Sequence, residues 1–236
     1  MTTATRTRRI GMIVPSVNAV IEPDYARLQL PGLSFHVSRV MLRETTPEGL
    51  RQMNAGVEQA AELIASVTPD VVAFACTSGS FIDGDAALTR QIEAITRIVA
   101  CPVVATSRAI VTSLTALGIT RIALATPYLD AVNEAERVFL ASHGFQVVNI
   151  AGLGLSGKQI RDVPPEAVAE LVQRADHPQA QAIFVSCTDF RAFEIAGHLE
   201  DTLGKPVLTS NQVTLRGILD ALDSEIRLPG HGRLLA

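Results

Sequence analysis

Short apolar runs rich in β-branched residues alternate along the chain with longer segments of helical periodicity. The apolar runs cover residues 9–15, 33–41, 71–76, 103–107, 121–126, 145–150, 182–187 and 207–210. The segments between them, such as residues 47–67 and 164–175, place apolar side chains near positions i, i+3, i+4 and i+7, the spacing of an amphipathic helix. This alternation is typical of βαβ units around a parallel sheet and predicts an α/β protein.

The predicted strands fall into two sets of four whose sequences correspond in order. RIGMIVPSVN corresponds to RIALATPYLD, VVAFACTSGS to QAIFVSCTDF, and PVVATS to PVLTS. The register is nearly constant, because Arg9 precedes Arg121 by 112 positions and Cys76 precedes Cys187 by 111. We therefore predict two similar Rossmann-like domains related by pseudo-twofold symmetry, each with a four-stranded parallel sheet flanked by helices.

The boundary between these domains is expected near residue 107, without a low-complexity linker. The first α/β half is expected to comprise residues 1–107 together with residues 213–236, whose helix at 213–222 packs back on it. The second half is expected to comprise residues 108–212. Specificity for a ligand would then reside in loops such as residues 39–47 and 152–164.

Composition narrows the possible functions. Of the 236 residues, 47% are hydrophobic, 4% are aromatic and the formal net charge is −4, so a basic, aromatic surface for nucleic acid is not expected. The apolar stretch at residues 10–14 is too short for a signal peptide or a membrane span. We expect a cytoplasmic protein that does not bind membranes, and its three cysteines are expected to stay reduced.

Two of those cysteines occupy equivalent positions in the repeat, each at the end of a predicted strand. Ligands of open parallel sheets bind beyond the carboxyl ends of the strands, so Cys76 and Cys187 are predicted to approach one cleft from opposite halves. One thiolate can then generate a planar carbanion or enediolate that the second thiol protonates on the other face, which is the geometry of racemisation or isomerisation. Amide groups at a helix N-terminus are expected to lower the thiol pKa.

Polar residues after the same strands are candidate ligands for a carboxylate. Thr77, Ser78 and Thr188 supply short hydroxyls and backbone N–H groups, although the same residues are also ordinary helix caps. Cys101 has no counterpart in the repeat and is interpreted as structural. A nucleotide-binding loop is absent from the sequence, and no metal-ligand spacing is found among the histidines: His36, His143, His177, His198 and His231. We expect neither a cofactor nor a metal.

These motifs resemble a known superfamily. VPSxN after the first strand, Cys76-Thr-Ser after the third, Thr-Pro-Tyr128 after the fifth and Cys187 after the seventh resemble the aspartate/glutamate racemases, and in particular the branch with maleate cis-trans isomerases and arylmalonate decarboxylases. The resemblance implies a cofactor-independent enzyme in which Asn18 and Tyr128 bind a substrate carboxylate and the two cysteines perform the chemistry. Asn18 and its neighbour Ser16 could instead cap the following helix.

Three functional hypotheses remain open at this point. The first is an isomerase or racemase of a small carboxylate or dicarboxylate, similar to maleate isomerase, in which Cys76 adds to the double bond and Cys187 assists proton movement. The second is an arylmalonate-type decarboxylase with Cys187 as proton donor, although such enzymes carry glycine where Cys76 stands. The third is a carboxylate-binding protein without catalysis. A homo-oligomer is possible by analogy.

Overall fold

The protein is described here by a computed structural model that covers residues 6–236. Residues 1–5, which contain part of the basic start and of the predicted first half, lie outside the described residues. The strands are β1 (Arg8–Pro15), β2 (Leu33–Val40), β3 (Val71–Phe74), β4 (Val103–Ala105), β5 (Arg121–Thr126), β6 (Gln146–Gly152), β7 (Ala182–Val185) and β8 (Val207–Thr209). All eight predicted strands are therefore present.

The strands form two four-stranded sheets with the same topology. The first has the order β2-β1-β3-β4 and the second has the order β6-β5-β7-β8, and every pairing within them is parallel. The prediction of two similar α/β halves is thereby confirmed. The copies differ in detail, because the β5–β6 pairing shifts its register between Ile122 and Ala123 whereas the β1–β2 pairing is continuous.

Helices connect the strands and cover both sheets. They are α1 (Ile21–Arg27), α2 (Pro47–Asn54), α3 (Val57–Ala65), α4 (Thr77–Phe81), α5 (Gly84–Val99), α6 (Thr106–Ala116), α7 (Asp130–Ser142), α8 (Pro165–Ala175), α9 (Ala196–Leu203) and α10 (Ser210–Ala221). The prediction of one continuous helix over residues 47–67 is wrong. The segment breaks at Ala55 and Gly56, where the absence of a side chain on Gly56 allows a close approach to Val40 of β2.

The C-terminal helix α10 contacts the first sheet. It packs against β3, β4 and α6, and its buried residues Leu215, Ile218 and Leu219 share a core cluster with Ile10 and Met12 of β1. A second, larger core cluster contains side chains from both halves. The division into residues 1–107 with 213–236 and residues 108–212 stays a prediction. Among residues 6–236, no helix has the length and apolar character needed to cross a bilayer.

A glycine in α9 lets the C-terminal segment lie directly on that helix. A Cβ atom at Gly197 would overlap the carbonyl oxygen of Gly230. The same segment is held by the Gln212 side chain, which donates to the His231 carbonyl at 2.7 Å, and by the Arg233 N–H, which donates to Glu200 at 2.8 Å. The tail can therefore move away only by losing these hydrogen bonds.

We expect Gly197→Ala to lower the free energy of unfolding by about 1–3 kcal/mol, the usual cost of overpacking a close contact. Urea unfolding followed by circular dichroism measures the change. Glu170→Ala, at an exposed position of α8, serves as the control and should change stability by less than about 0.5 kcal/mol. Equal stability of Gly197→Ala and the wild type would contradict the close packing of the tail on α9.

Candidate active site

Cys76 lies just past the end of β3, at the first turn of α4. Its backbone is extended, with φ −141°, and its Sγ accepts a hydrogen bond from the Gly79 N–H at 3.3 Å. A Cβ at Gly79 would lie 2.9 Å from that sulfur, so glycine is needed for the thiol to cap the helix. The short strand and the tight turn together fix the direction of the thiol.

Cys187 occupies the equivalent position after β7, in a conformation that is rare for a residue with a side chain. Its φ is +93°, and its Sγ accepts a hydrogen bond from the Asp189 N–H at 3.4 Å. Positive φ at a non-glycine residue costs energy and is often found where function requires a particular side-chain direction. The turn aims the thiol at the opposite half of the protein.

The two thiols line one narrow cavity of about 310 Å³. From the first half it is lined by Cys76, Thr77 and Ser78, and from the second half by Tyr128, Cys187 and Thr188. The remaining lining residues are Pro15, Val17, Leu42, Thr45, Gly157, Ile160 and Asp189. Six of the eight predicted site residues are thus brought together in the structure. Another cavity, beside α6 and α10, contains none of them.

Asn18 and Ser16 are not among the residues that line this cavity. Asn18 Oδ1 accepts hydrogen bonds from the N–H groups of Val20 and Ile21 at 3.0 and 3.2 Å, as a helix-capping side chain does. Its Nδ2 donates to Thr188 Oγ1 at 3.0 Å and so joins the two halves. The Ser16 hydroxyl accepts from the Leu42 N–H at 3.0 Å. Direct contact of either residue with a substrate stays a prediction.

Two other predicted ligands already use their hydroxyls within the protein. Thr77 Oγ1 donates to Ser210 Oγ at 2.8 Å, and Thr188 Oγ1 donates to the Ala75 carbonyl at 3.2 Å. Tyr128 differs from both, because its hydroxyl is fully buried and has no hydrogen-bond partner among residues 6–236. Its ring packs edge-on against Phe81, with centroids 6.4 Å apart. The phenol is held rigidly with a free polar group at the cavity.

Burial dominates the electrostatics of the thiols. It raises the pKa of Cys76 to about 11, and the negative charge of Asp189 acts in the same direction, while the Gly79 N–H and the Ser78 side chain lower that pKa. The prediction of a lowered thiol pKa is therefore wrong for this conformation of the protein. A helix of five residues supplies too few aligned amides to offset the loss of solvation.

The pKa of Cys187 is raised as well. Burial raises its pKa, and Asp189 raises it further. Asp189 is itself only 5% exposed, and burial lifts its own pKa to about 6 although its Oδ1 accepts a hydrogen bond from the Ala19 N–H at 2.7 Å. Near neutral pH the carboxylate is mostly ionised, so it disfavours a second negative charge on either thiol.

Three residues in and around the site were not predicted from the sequence. Thr45 lines the cavity and accepts a hydrogen bond from the Gly157 N–H at 3.3 Å, and Arg161 donates to the Val17 carbonyl at 2.5 Å. Glu136 is fully buried in α7. One signal was present for it, since Glu136 stands four positions after Val132 and three before Phe139, on the apolar face of the helix. Among residues 6–236, no group of three acidic, histidine or cysteine side chains could hold a metal.

The repeated sheets and the thiol that each half contributes to a common cavity define an α/β protein of two similar halves with paired thiols at its candidate site. The sequence profile of the arylmalonate decarboxylase family matches residues 10–235, and the chain belongs to this family. It is 33% identical to the arylmalonate decarboxylase of Bordetella bronchiseptica, over 97% of this chain and 96% of that protein.

The chain is equally similar to maleate isomerases. It is 30% identical to the maleate isomerase of Nocardia farcinica, over 97% of this chain and 95% of that protein. The structure of the Nocardia maleate cis-trans isomerase bound to TRIS superimposes with a TM-score of 0.92, covering 97% of each chain. A cysteine-to-serine variant of that enzyme, also with a TM-score of 0.92, contains a covalently bound succinylcysteine intermediate. These similarities identify the chain as a cysteine-dependent enzyme and support isomerisation as its reaction.

The charge of Asp189 leads to a testable expectation for the thiols. In Asp189→Asn the amide oxygen can still accept from the Ala19 N–H, but the negative charge is gone, so the pKa values of Cys76 and Cys187 should fall. We expect alkylation by iodoacetamide at about pH 8.5 to become about threefold to tenfold faster, as half to one pKa unit requires. The rates are measured by mass spectrometry of the cysteine peptides.

Both proteins carry Cys101→Ser in this comparison, so that only the cavity thiols react. Asp162→Asn removes an exposed carboxylate that does not line the cavity, and its rate should match that of the parent. Alkylation that is unchanged or slower in Asp189→Asn would show that Asp189 does not control the thiols.

Proposed function

We propose that the protein isomerises a small carboxylate or dicarboxylate, and that its reaction is cis-trans isomerisation of a maleate-like unsaturated dicarboxylate. The observation that carries the proposal is the presence of Cys76 and Cys187 on one narrow cavity, each supplied by a different half. The similarity to maleate isomerases over nearly the whole chain supports the same reaction.

The two thiols have unequal tasks in this proposal. Both sulfurs accept a backbone N–H, but the negative charge of Asp189 is the weakest influence on Cys76 and is second only to burial at Cys187. Cys76 is therefore the thiol that ionises and acts as nucleophile. The negative charge of Asp189 raises the pKa of Cys187, so this thiol stays protonated and can act as a proton donor. Its positive φ directs that proton into the cavity.

The reaction balances with these two groups alone. The Cys76 thiolate forms a bond to one alkene carbon, and the π electrons move onto the neighbouring carbon and its carboxylate. Cys187 gives its proton to that carbon, which yields a succinyl group on Cys76 and a Cys187 thiolate. The former double bond is now a single bond, and the adduct rotates about it. The Cys187 thiolate then takes the proton back and the carbon–sulfur bond breaks. The trans product leaves, and the Cys76 thiolate is restored.

Tyr128 is the side chain best placed to bind the substrate carboxylate. Its buried hydroxyl has no partner within residues 6–236, and an unpaired buried donor is costly unless a ligand accepts from it. Ser78 also lines the cavity. Thr77 and Thr188 line it too, with their hydroxyls in hydrogen bonds of their own.

Proton NMR in deuterium oxide tests the proposal. The wild type should convert maleate to fumarate, and Cys76→Ala and Cys187→Ala should each lower the rate by at least about a hundredfold, since loss of a nucleophile or of a general acid costs that much or more. Cys101→Ser, at a half-buried position away from the cavity, is the matched control and should retain the wild-type rate.

Decarboxylation is a second candidate, supported by the family profile and by the Bordetella relative. The same NMR assay with phenylmalonate distinguishes the two reactions. Loss of carbon dioxide that persists in Cys76→Gly and disappears in Cys187→Ala would favour the decarboxylase. Deuterium entry at the α-carbon of aspartate or glutamate that needs both cysteines would indicate a racemase. No reaction with any of these substrates would contradict the proposed isomerase.

A further inference from the structure

Glu136 is a buried carboxyl group behind the cavity that the proposed reaction does not use. It lies on α7 with no exposed surface, and it forms no ion pair with any residue of the described chain. An ionised carboxylate in such a place is strongly disfavoured. Because burying Glu136 costs free energy, an interaction of the side chain should account for its position.

The one hydrogen bond of Glu136 leads directly to the site. Ser186 Oγ donates to Glu136 Oε1 at 2.7 Å, and Ser186 is the fully buried residue immediately before Cys187. The other carboxyl oxygen, Oε2, is buried and has no partner among the described residues. The Glu136–Ser186 bond therefore fastens the turn that carries Cys187 to helix α7.

The Tyr128 hydroxyl lies in the same polar cluster. Burial is the largest influence that raises the pKa of Tyr128; negative charge on Cys187, Glu136 or Cys76 raises it further, and the Ser186 hydroxyl lowers it. These four groups therefore act on the Tyr128 hydroxyl. Around this cluster the packing is apolar, because Tyr128 and Phe139 both contact the ring of Phe81. A charge on Glu136 would thus act on the Tyr128 hydroxyl with little solvent screening.

No basic group compensates Glu136 from the neighbouring elements. Helix α4 and strand β6, which pack against α7, have no charged residue. On α5, Asp85 is hydrogen-bonded to His143, which directly follows α7, and the remaining charged residues Arg90, Glu93 and Arg97 are exposed. On α7 itself, Glu134 and Arg137 pair with each other on the exposed face. Burial accordingly raises the pKa of Glu136 to about 8, so the carboxyl is mostly protonated near neutral pH.

We propose that Glu136 is a positioning residue of the active site: as a neutral acid bonded to Ser186 it fixes the Cys187 turn beside Tyr128, and its ionisation places a negative charge behind Cys187 that opposes catalysis. The catalytic part of this inference rests on the proposed role of Cys187 in proton transfer. The structural part concerns the ionisation of Cys187 and does not depend on the substrate.

Thiol titration tests the inference without any substrate. In a background with Cys76→Ala and Cys101→Ser, Cys187 is the sole cysteine, and its alkylation by iodoacetamide is followed from about pH 7 to about pH 11. Glu136→Gln keeps the shape and the acceptor for Ser186 but cannot ionise. We expect Cys187 to titrate at lower pH in this variant and to react at least about threefold faster at about pH 9.

Glu200→Gln is the matched control. Glu200 is another buried carboxyl, 5% exposed, but it accepts from the Val207 and Arg233 N–H groups away from the cavity. Its alkylation profile should coincide with that of the parent. The inference is overturned if Glu136→Gln leaves the profile of Cys187 unchanged, or if Glu200→Gln shifts it equally.

Infrared difference spectroscopy on the wild-type protein provides a second test, and it does not depend on whether a substituted protein folds. A buried carboxylic acid should give a protonated C=O band at neutral pH that is lost as the pH passes about 8. Absence of such a band would overturn the inference. If the proposed isomerase activity is present, its kcat should fall over the same pH range with KM little changed, and Glu136→Gln should remove that fall. Failure of the activity alone would leave the thiol and infrared results standing.

Discussion

Hydrogen bonds between the loop after β1 and the loop after β7 hold the two halves in the relation that the site needs. Asn18 caps the start of α1 and donates to Thr188, while the Ala19 N–H donates to Asp189. Their partners Thr188 and Asp189 directly follow Cys187 in sequence. The Asn18–Thr188 bond is buried and the Ala19–Asp189 bond is part-buried, so breaking the former leaves an unpaired buried polar group at a cost of about 1–3 kcal/mol. The cavity exists because one turn from each half is fixed against the other here.

Because the two thiols and Asp189 line the same narrow cavity, negative charge on any one of them disfavours ionisation of the others. Cys76 and Asp189 are buried and Cys187 is half-buried beside them, and each negative charge makes the next one less favourable. A site of this kind accommodates one thiolate at a time, which suits a reaction that passes a single proton between substrate and protein. Glu136 is mostly neutral near pH 7, so it adds little to the negative charge that Asp189 already places beside the thiols.

Much of this architecture could be predicted from the sequence, because a duplication preserves both hydrophobic pattern and register. The strands, the two parallel sheets and the equivalence of Cys76 and Cys187 followed from that repeat. The break at Gly56 was missed because the pattern of apolar positions continues across it. The direction of the thiol pKa shifts was predicted wrongly. Helix capping by a thiol depends on nearby residues and can be predicted from the sequence, whereas burial of the thiol depends on residues of the other half that are distant in sequence. Glu136 was overlooked because a glutamate in an amphipathic helix is usually solvated.

The most direct test of the account is to trap the covalent adduct. Cys187→Ser should be incubated with maleate, digested and examined by mass spectrometry, with Cys101 as an internal comparison in the same protein. If Cys76 is the nucleophile, a succinyl group should accumulate on the Cys76 peptide, because the carbanion formed by the addition can take a proton from water, whereas the serine at position 187 is too weak a base to remove it again. An unmodified Cys76 peptide, or modification of Cys101 to the same extent, would contradict the assignment of the two thiols.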